Sequence, residues 1–448
     1  MVNLVRKTVD ISAFEALMAS FILFYSALIF CLPMPSTDES LMQYPWWAKK
    51  IEVGNIQLFE LVFIGWCFLY IVKLQTLFIS AHMATARKSL FWLLLLAIWC
   101  GLISLMTPLI FLDLGRTFRL IVMALLFLAI VNWAYQTVNL LLEAMVVGFL
   151  VGTIINLIIS FQYPLIVDAV LRLSGQNTAG VAMGLAIHLS AWLFYRTSKY
   201  YIKVFSVLAA LIFFFSCAIS FSRIGWFIAF FGLIAWGYVF WRGFVHNLTR
   251  LKLTNNISSL IILLITFFFL LILNAEFGLF QWFRELIDQK LERQGESNDQ
   301  RWSYVMGTIE ILIKHPLGVG YSGFYDAIMD TRIYSSSEAS VENDIVTTNP
   351  HASFLWYMTA GGIPGGILFF GALFSILNMM RHGLMRSMGG AGAVFFTLVL
   401  APYVLIGSTV SYLFNSLILI APAAMAAGWG LSRLHHPKFT VAVRTPSQ

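Results

Sequence analysis

The sequence predicts an all-α, polytopic membrane protein with about 12 transmembrane helices and one large helical loop. Three observations carry that expectation. Of the 448 residues, 60% are hydrophobic and only 11% charged, and the mean hydropathy is +0.83, a composition that excludes a soluble globular domain. Apolar runs of about 20 residues, enough to cross a hydrocarbon core, follow one another with short breaks. One segment interrupts them: the polar stretch 276–350, which with Ala275 at its edge holds 12 of the 21 acidic residues and six of the 28 basic ones.

The candidate spans are 13–33, 55–73, 90–110, 118–133, 138–160, 178–196, 202–221, 224–241, 257–275, 351–378, 391–410 and 412–431. The first run is longer than the apolar core of a cleavable signal, so it is expected to stay as a span. Basic residues orient the set. With the N-terminus inside, inner segments carry 16 Lys and Arg, among them Lys73, Arg87, Lys88, Arg196 and Arg381. The short outer loops carry six: Lys49, Lys50, Arg116, Arg119, Arg172 and Arg223. By the positive-inside rule both termini are cytoplasmic and the long loop lies outside. The net charge of +7 follows from this bias and needs no nucleic-acid partner.

The chain reads as a single integral membrane domain, 1–448, with 276–350 inserted between the ninth and tenth spans. Within the loop, Leu279, Phe280, Phe283, Leu286, Ile287 and Leu291 recur at helical spacing opposite charged residues, the pattern of a helix lying on a membrane surface. A second helix is expected from Ser297, where Ser297 and Gln300 fit a capping box. Its apolar face would be Trp302, Val305, Met306, Ile309, Leu312 and Ile313, ending before Pro316. The segment HPLGVGYSGF then forms a glycine-rich turn, and 331–349 a polar loop.

The chemistry-bearing candidates cluster at the outer ends of spans. His351, at the mouth of the tenth span, is a residue type that is neutral near pH 7 and accepts a proton from a hydroxyl; the plain alternative is an interfacial cap. Arg223 sits in a two-residue break, where an arginine lines a polar cavity, pairs with an anion, or snorkels to headgroups. Arg301, placed in the first turn of the second loop helix, opposes the dipole unless an anion, or Asp299 or Glu296, offsets it. Arg116 and Arg119, in DLGRTFRL, are suited to phosphate or to lipid anchoring. His315 either ends its helix or meets substrate, and His188, mid-span, reads as a core histidine. The four cysteines, Cys31, Cys67, Cys100 and Cys217, show no metal spacing and none lies in the loop. Walker loops, H-E-x-x-H and G-x-S-x-G are absent from the sequence, which removes support for ATP-driven transport, zinc proteolysis and serine-hydrolase chemistry. No internal repeat favours a transporter.

Three strings, SFSRIGWFIAF, QRWSYVMGTIEILIKHPLGVGYSGF and NPHASFLWYMTAGGIPGGILFF, in this order and membrane placement, resemble the O-antigen ligase and polymerase superfamily of bacterial membrane proteins. The resemblance covers about residues 205–380, and GQNTAG adds Asn177 as a minor candidate. It implies a metal-independent glycosyltransferase without cofactor, in the inner membrane with a periplasmic loop. The donor would be a glycan on undecaprenyl diphosphate and the acceptor a hydroxyl, for ligases on lipid A–core sugar. It also implies the roles: His351 activates the acceptor, while Arg223 and Arg301, with Arg116 and Arg119 as further candidates, hold the diphosphate; His315 and Asn177 are possible substrate contacts. A polymerase of lipid-linked O-antigen or exopolysaccharide repeats is the alternative, and a lipid-linked oligosaccharide flippase is the alternative of another class.

Overall fold

The computed structural model describes residues 11–31, 52–53, 56–79, 83–107, 109–162, 176–219, 223–248, 294–332, 353–388, 401, 404 and 417–435. Apart from a two-residue antiparallel ladder, Glu52–Val53 with Ile56–Gln57, the described elements are helices. In chain order they are α1 Ala13–Cys31, α2 Leu58–Leu69, α3 Ile71–Ile79, α4 Ala84–Ser104, α5 Ile110–Gln162, α6 Gln176–Arg196, α7 Tyr200–Ile219, α8 Arg223–Leu248, α9 Gln294–Lys314, α10 Phe324–Met329, α11 Ser353–Met388 and α12 Leu417–His435. Five of them (α1, α4, α5, α7 and α11) contain stretches long and apolar enough to cross a membrane. The protein is an all-helical integral membrane protein. The spans expected at 257–275 and, but for residue 401 and Val404, 391–410 lie outside the described residues, as does the surface helix expected at 279–291. The expected span 55–73 is divided at Tyr70 into α2 and α3.

The 53 residues of α5 would reach about 80 Å if straight, against a hydrocarbon core of about 30 Å. The helix doubles back at Thr137, whose φ of −128° and ψ of 31° leave the helical region. Contacts fix the reversal. Arg119 bonds Glu60 at the start of α2, Gln136 accepts from Ile11 N just before α1, and Asn156 donates to the carbonyl of Cys31 at the end of α1. Trp66, six residues beyond Glu60, reaches back to Glu15 near the start of α1, so α2 runs against α1. Arg119 and Asn156 therefore share one end of the bundle and Gln136 lies at the other. The two halves take in the expected runs 118–133 and 138–160, the first starting earlier, at Ile110.

Small residues set the packing, as they do where helices meet in lipid. Helices α1 and α5 meet at Gly148 and Gly152, α12 and α5 at Gly428, and α11 and α12 at Gly383 and Gly430. Gly180, Gly184 and His188 of α6 face Gly225, Ile228 and Gly232 of α8 in parallel. His188 is buried there and bonds the Ile228 carbonyl at 2.9 Å, as a core histidine should.

The tenth span, expected as one run over 351–378, is broken. Gly362 adopts φ 65° and ψ −157°, and Pro364 follows inside the helix. A short segment, 353–361, precedes the break and the membrane-length part starts at Ile363. Freed backbone groups must find other partners in an apolar setting, and four of them do so from outside the helix. The carbonyls of Thr359 and Ala360 accept from Val319 N at 2.9 Å and Gly320 N at 3.1 Å. Trp99 Nε1 donates to the Gly361 carbonyl at 2.6 Å, and Ile363 N donates to Pro316 O at 2.9 Å. Ala360 is the residue whose helical partner would have been the N–H that Pro364 lacks. The glycine-rich turn of the loop is thus stitched into the break.

Candidate active site at the mouth of the broken helix

The seam between 316–320 and 359–363 needs glycine on both sides. Gly318 and Gly320 sit at φ 102° and 76°, a region that favours glycine. A Cβ on Gly320 would lie 2.1 Å from Thr107 Cγ2 and 2.8 Å from Asp113 Oδ2. Tyr321 follows, buried, with its ring 5.7 Å from that of Trp356 and 6.3 Å from that of Tyr357. Burial first, then the Cys100, Tyr357 and Asp113 groups around it, pushes the Tyr321 phenol well above its usual value. It is a neutral hydroxyl, not a base.

Asp113, in the first turn of α5, has no exposed surface. Its Oδ2 accepts from Ser322 N at 3.2 Å and Ser322 Oγ at 3.0 Å. One turn on, Arg116 lies with Nη1 3.9 Å from Asp113 Oδ1 and its guanidinium carbon 5.1 Å from the centre of the Trp356 ring, a cation–π stack. Arg119 is engaged differently: Nε bonds Oε1 of buried Glu60 at 2.6 Å. The two arginines read alike from sequence, but Arg119 ties α5 to α2 while Arg116 faces the mouth of α11.

Helix α9 corrects two expectations. It begins at Gln294, so Ser297 and Gln300 lie within it rather than capping it, and Arg301 sits in its third turn instead of its first. The dipole argument for an anion beside Arg301 is therefore lost. The covered face differs from the apolar one: Tyr304 and Ile311 pack with Phe324, Ile328 and Leu355, and Thr308 is buried. Trp302, Met306, Ile309 and Ile313 are exposed, at 65%, 38%, 47% and 75%. These exposed residues belong to the apolar stripe read from the sequence, while α10 and the start of α11 cover the other side. Arg301 falls three residues before Tyr304, at the head of the covered stripe.

The other sequence candidates are distributed as follows. His351 lies outside the described residues, two positions before Ser353, the first residue of α11. Arg223 opens α8, and Asn177 is the second residue of α6; their side chains, and that of Arg301, are outside what is described. The close approach of Gly225 to Gly180, where a Cβ would lie 2.5 Å from the Gly180 carbonyl, brings the starts of those two helices together. His315 is exposed; its N–H bonds Ile311 O at 2.7 Å and its carbonyl accepts from Gly318 N at 3.0 Å, the contacts of a residue that ends a helix. Asp113, Ser322, Tyr321 and Trp356 were not singled out from sequence. The available signal was Asp113 itself, a carboxylate three residues before Arg116 in an apolar setting. Among the described residues no group of three or more His, Cys, Asp or Glu is placed to hold a metal ion. A groove of about 280 Å³ lined by Arg87, Lys88, Trp92 and Ser375 opens toward the opposite end of α4 and takes no part in this site.

Residues 208–370, a little more than a third of the chain, match the family model described as O-antigen ligase. The match takes in α8, the loop helices, the stitched turn and the break of α11, and it supports the O-antigen ligase and polymerase superfamily, whose members are glycosyltransferase-like enzymes acting on lipid-linked glycans in the membrane. No curated protein matches the chain.

Proposed function

We propose that the protein is a metal-independent membrane glycosyltransferase of the ligase type, working at the periplasmic face of the bacterial inner membrane with both termini cytoplasmic. Its donor is a glycan on undecaprenyl diphosphate and its acceptor a sugar hydroxyl of lipid A–core. The observation that carries the reading is the stitched break: it joins the loop motif HPLGVGYS to the helix that His351 precedes, and sets the Arg116 guanidinium on Trp356, five residues past that histidine.

The chemistry is a direct displacement. His351 takes the proton of the acceptor hydroxyl as its oxygen attacks the anomeric carbon. The bond from that carbon to the diphosphate oxygen breaks, and undecaprenyl diphosphate leaves with the electron pair. Attack from the opposite side inverts the anomeric configuration. Arg223 and Arg301, joined by Arg116, neutralise the charge that develops on the leaving group, since guanidinium forks match phosphate oxygens. The test is a reconstituted transfer assay with three variants. His351→Ala is expected to abolish transfer with donor binding retained, whereas Arg223→Ala and Arg301→Ala weaken binding and turnover together. A folded His351→Ala protein with near-normal transfer would remove histidine from the mechanism.

A further inference from the structure

A carboxylate with no exposed surface persists where cations and hydrogen-bond donors surround it, and the surroundings of Asp113 are divided between two tasks. Oδ2 is used fully by Ser322, the residue that closes the stitched turn. Among the described residues Oδ1 has no hydrogen-bond partner, and it faces Arg116 Nη1 at 3.9 Å. Arg116 is held between that oxygen and the face of Trp356, with 32% of its side chain exposed and no shorter ion pair among the described residues. Arg119, by contrast, spends its Nε on Glu60. The carboxylate therefore links the loop turn, through one oxygen, to an arginine whose fork is not consumed, through the other. The Tyr321 and Trp356 rings, tilted against each other with centroids 5.7 Å apart, lie beside it.

We infer that Asp113 is a positioning residue of the diphosphate site. Its Oδ2 pins the turn that is sewn into α11, and its Oδ1 steadies the Arg116 guanidinium over Trp356 so that the remaining N–H donors point to phosphate. The loose 3.9 Å approach suits this task, because a bidentate pair with Asp113 would use the donors the ligand requires. The inference rests on the diphosphate-donor reading above and adds a residue outside the stretch 208–370 that matches the family.

The test measures the affinity of the purified full chain in lipid nanodiscs for undecaprenyl diphosphate, with melting temperatures recorded in parallel. Asp113→Asn keeps the size of the side chain and an acceptor for Ser322 but removes the charge facing Arg116. Arg116→Ala and Asp113→Asn are each expected to weaken binding about tenfold, the scale of one lost charge-assisted hydrogen bond. Because Asp113 acts through Arg116, the double variant should bind no worse than Arg116→Ala, within about twofold; Arg119→Ala should bind normally. Losses that multiply in the double variant, or wild-type affinity in Asp113→Asn, overturn the assignment. If Asp113→Asn melts far below the wild type, Arg116→Lys decides: it keeps the charge beside Asp113 but lacks the fork, and wild-type affinity in that variant refutes the proposal. Normal affinity in the Arg116, Arg223 and Arg301 alanine variants alike would instead remove the diphosphate reading itself.

Discussion

Gly362→Ala tests the stitched break most directly. The backbone there, φ 65° and ψ −157°, belongs to a region open essentially to glycine alone, and forcing a side chain into it costs about 1–3 kcal/mol. The added Cβ would also lie 2.2 Å from Pro316 O, 2.4 Å from Leu317 C and 2.5 Å from Gly318 N. All three are backbone atoms and cannot rotate away, so overpacking adds about 1–3 kcal/mol. The sum of about 2–6 kcal/mol is large beside the 5–15 kcal/mol that holds a typical domain together. The chain is expected to relieve it by parting the seam, which breaks the bonds from Val319, Gly320 and Ile363. Gly318→Ala presses on the same seam from the other side, its Cβ 2.5 Å from Ala360 O and from Gly362 N. The double variant should therefore lose little beyond either single one. The assay is thermal unfolding of detergent-solubilised protein followed by transfer activity. Gly65→Ala and Gly237→Ala serve as controls, since a Cβ at either meets nothing within 4 Å and alanine in a helix gains about 0.5–1 kcal/mol over glycine. A Gly362→Ala protein that melts with these controls and stays active would show that the break is not held as described.

Arg119→Ala is expected to lower the melting temperature without changing affinity for undecaprenyl diphosphate, because it leaves Oε1 of Glu60, whose side chain is 3% exposed, without its cation while Oε2 keeps Gln57 N; such a loss costs about 1–3 kcal/mol. Arg119→Ala with Glu60→Gln should recover part of that loss, and a double variant as unstable as the single one would show that the pair is not what matters. The outward stripe of α9 continues through Leu317, 58% exposed, to Ile363, Ile367, Phe370 and Phe374 of α11. Spin labels at Ile309→Cys and Ile313→Cys in bilayers should collide more with oxygen than with a water-soluble nickel chelate; the reverse ratio would place the helix in water. In a cysteine-free background, Ser336→Cys should react with an impermeant thiol reagent in spheroplasts and Thr249→Cys only after lysis. Reversed labelling would invert the orientation.

What the sequence made legible was what composition and local spacing determine. Helices α1, α6 and α7 fall within two residues of the runs read from the sequence, α4 is shifted six residues toward the N-terminus and α8 runs seven residues longer, and the reversal at Thr137 lies between the two runs read at 118–133 and 138–160. The break at Gly362 was not read, although GGIPGG spells it out. Apolar composition is continuous across it, and the partners that make it affordable lie about 40 residues earlier, at 316–320. Periodicity likewise found the apolar stripe of α9 but not what the stripe faces. Tyr304 and Thr308 take the covered side, while Trp302 and Ile313 stay exposed. Arg116 and Arg119 looked equivalent because their difference depends on Glu60, 59 residues from Arg119, and on Trp356, farther still.

Two independent sortings of the charged residues agree. The bias of Lys and Arg puts Lys73, Arg87 and Arg196 on one side of the membrane and Arg116, Arg119 and Arg223 on the other. Contacts alone, which know nothing of that bias, give the same partition. Lys73 pairs with Glu15 at the start of α1, and Arg196 bonds Asn139 just past the reversal of α5. Arg119 bonds Glu60 at the far end, and the start of α8, with Arg223, lies against the start of α6. The second group also differs in kind. Arg116 stands on an aromatic face, and Arg116 and Arg223 lie in the first turns of their helices, whereas Arg119, deeper in α5, is held by Glu60. A polyprenyl diphosphate presents its chain to the apolar layer and its charge to the boundary. Under the proposed function, Arg116 and Arg223 at helix starts would meet such a ligand where its charge lies, which suits transfer at one face. Carriage of that charge through the bundle would instead call for cations along its depth.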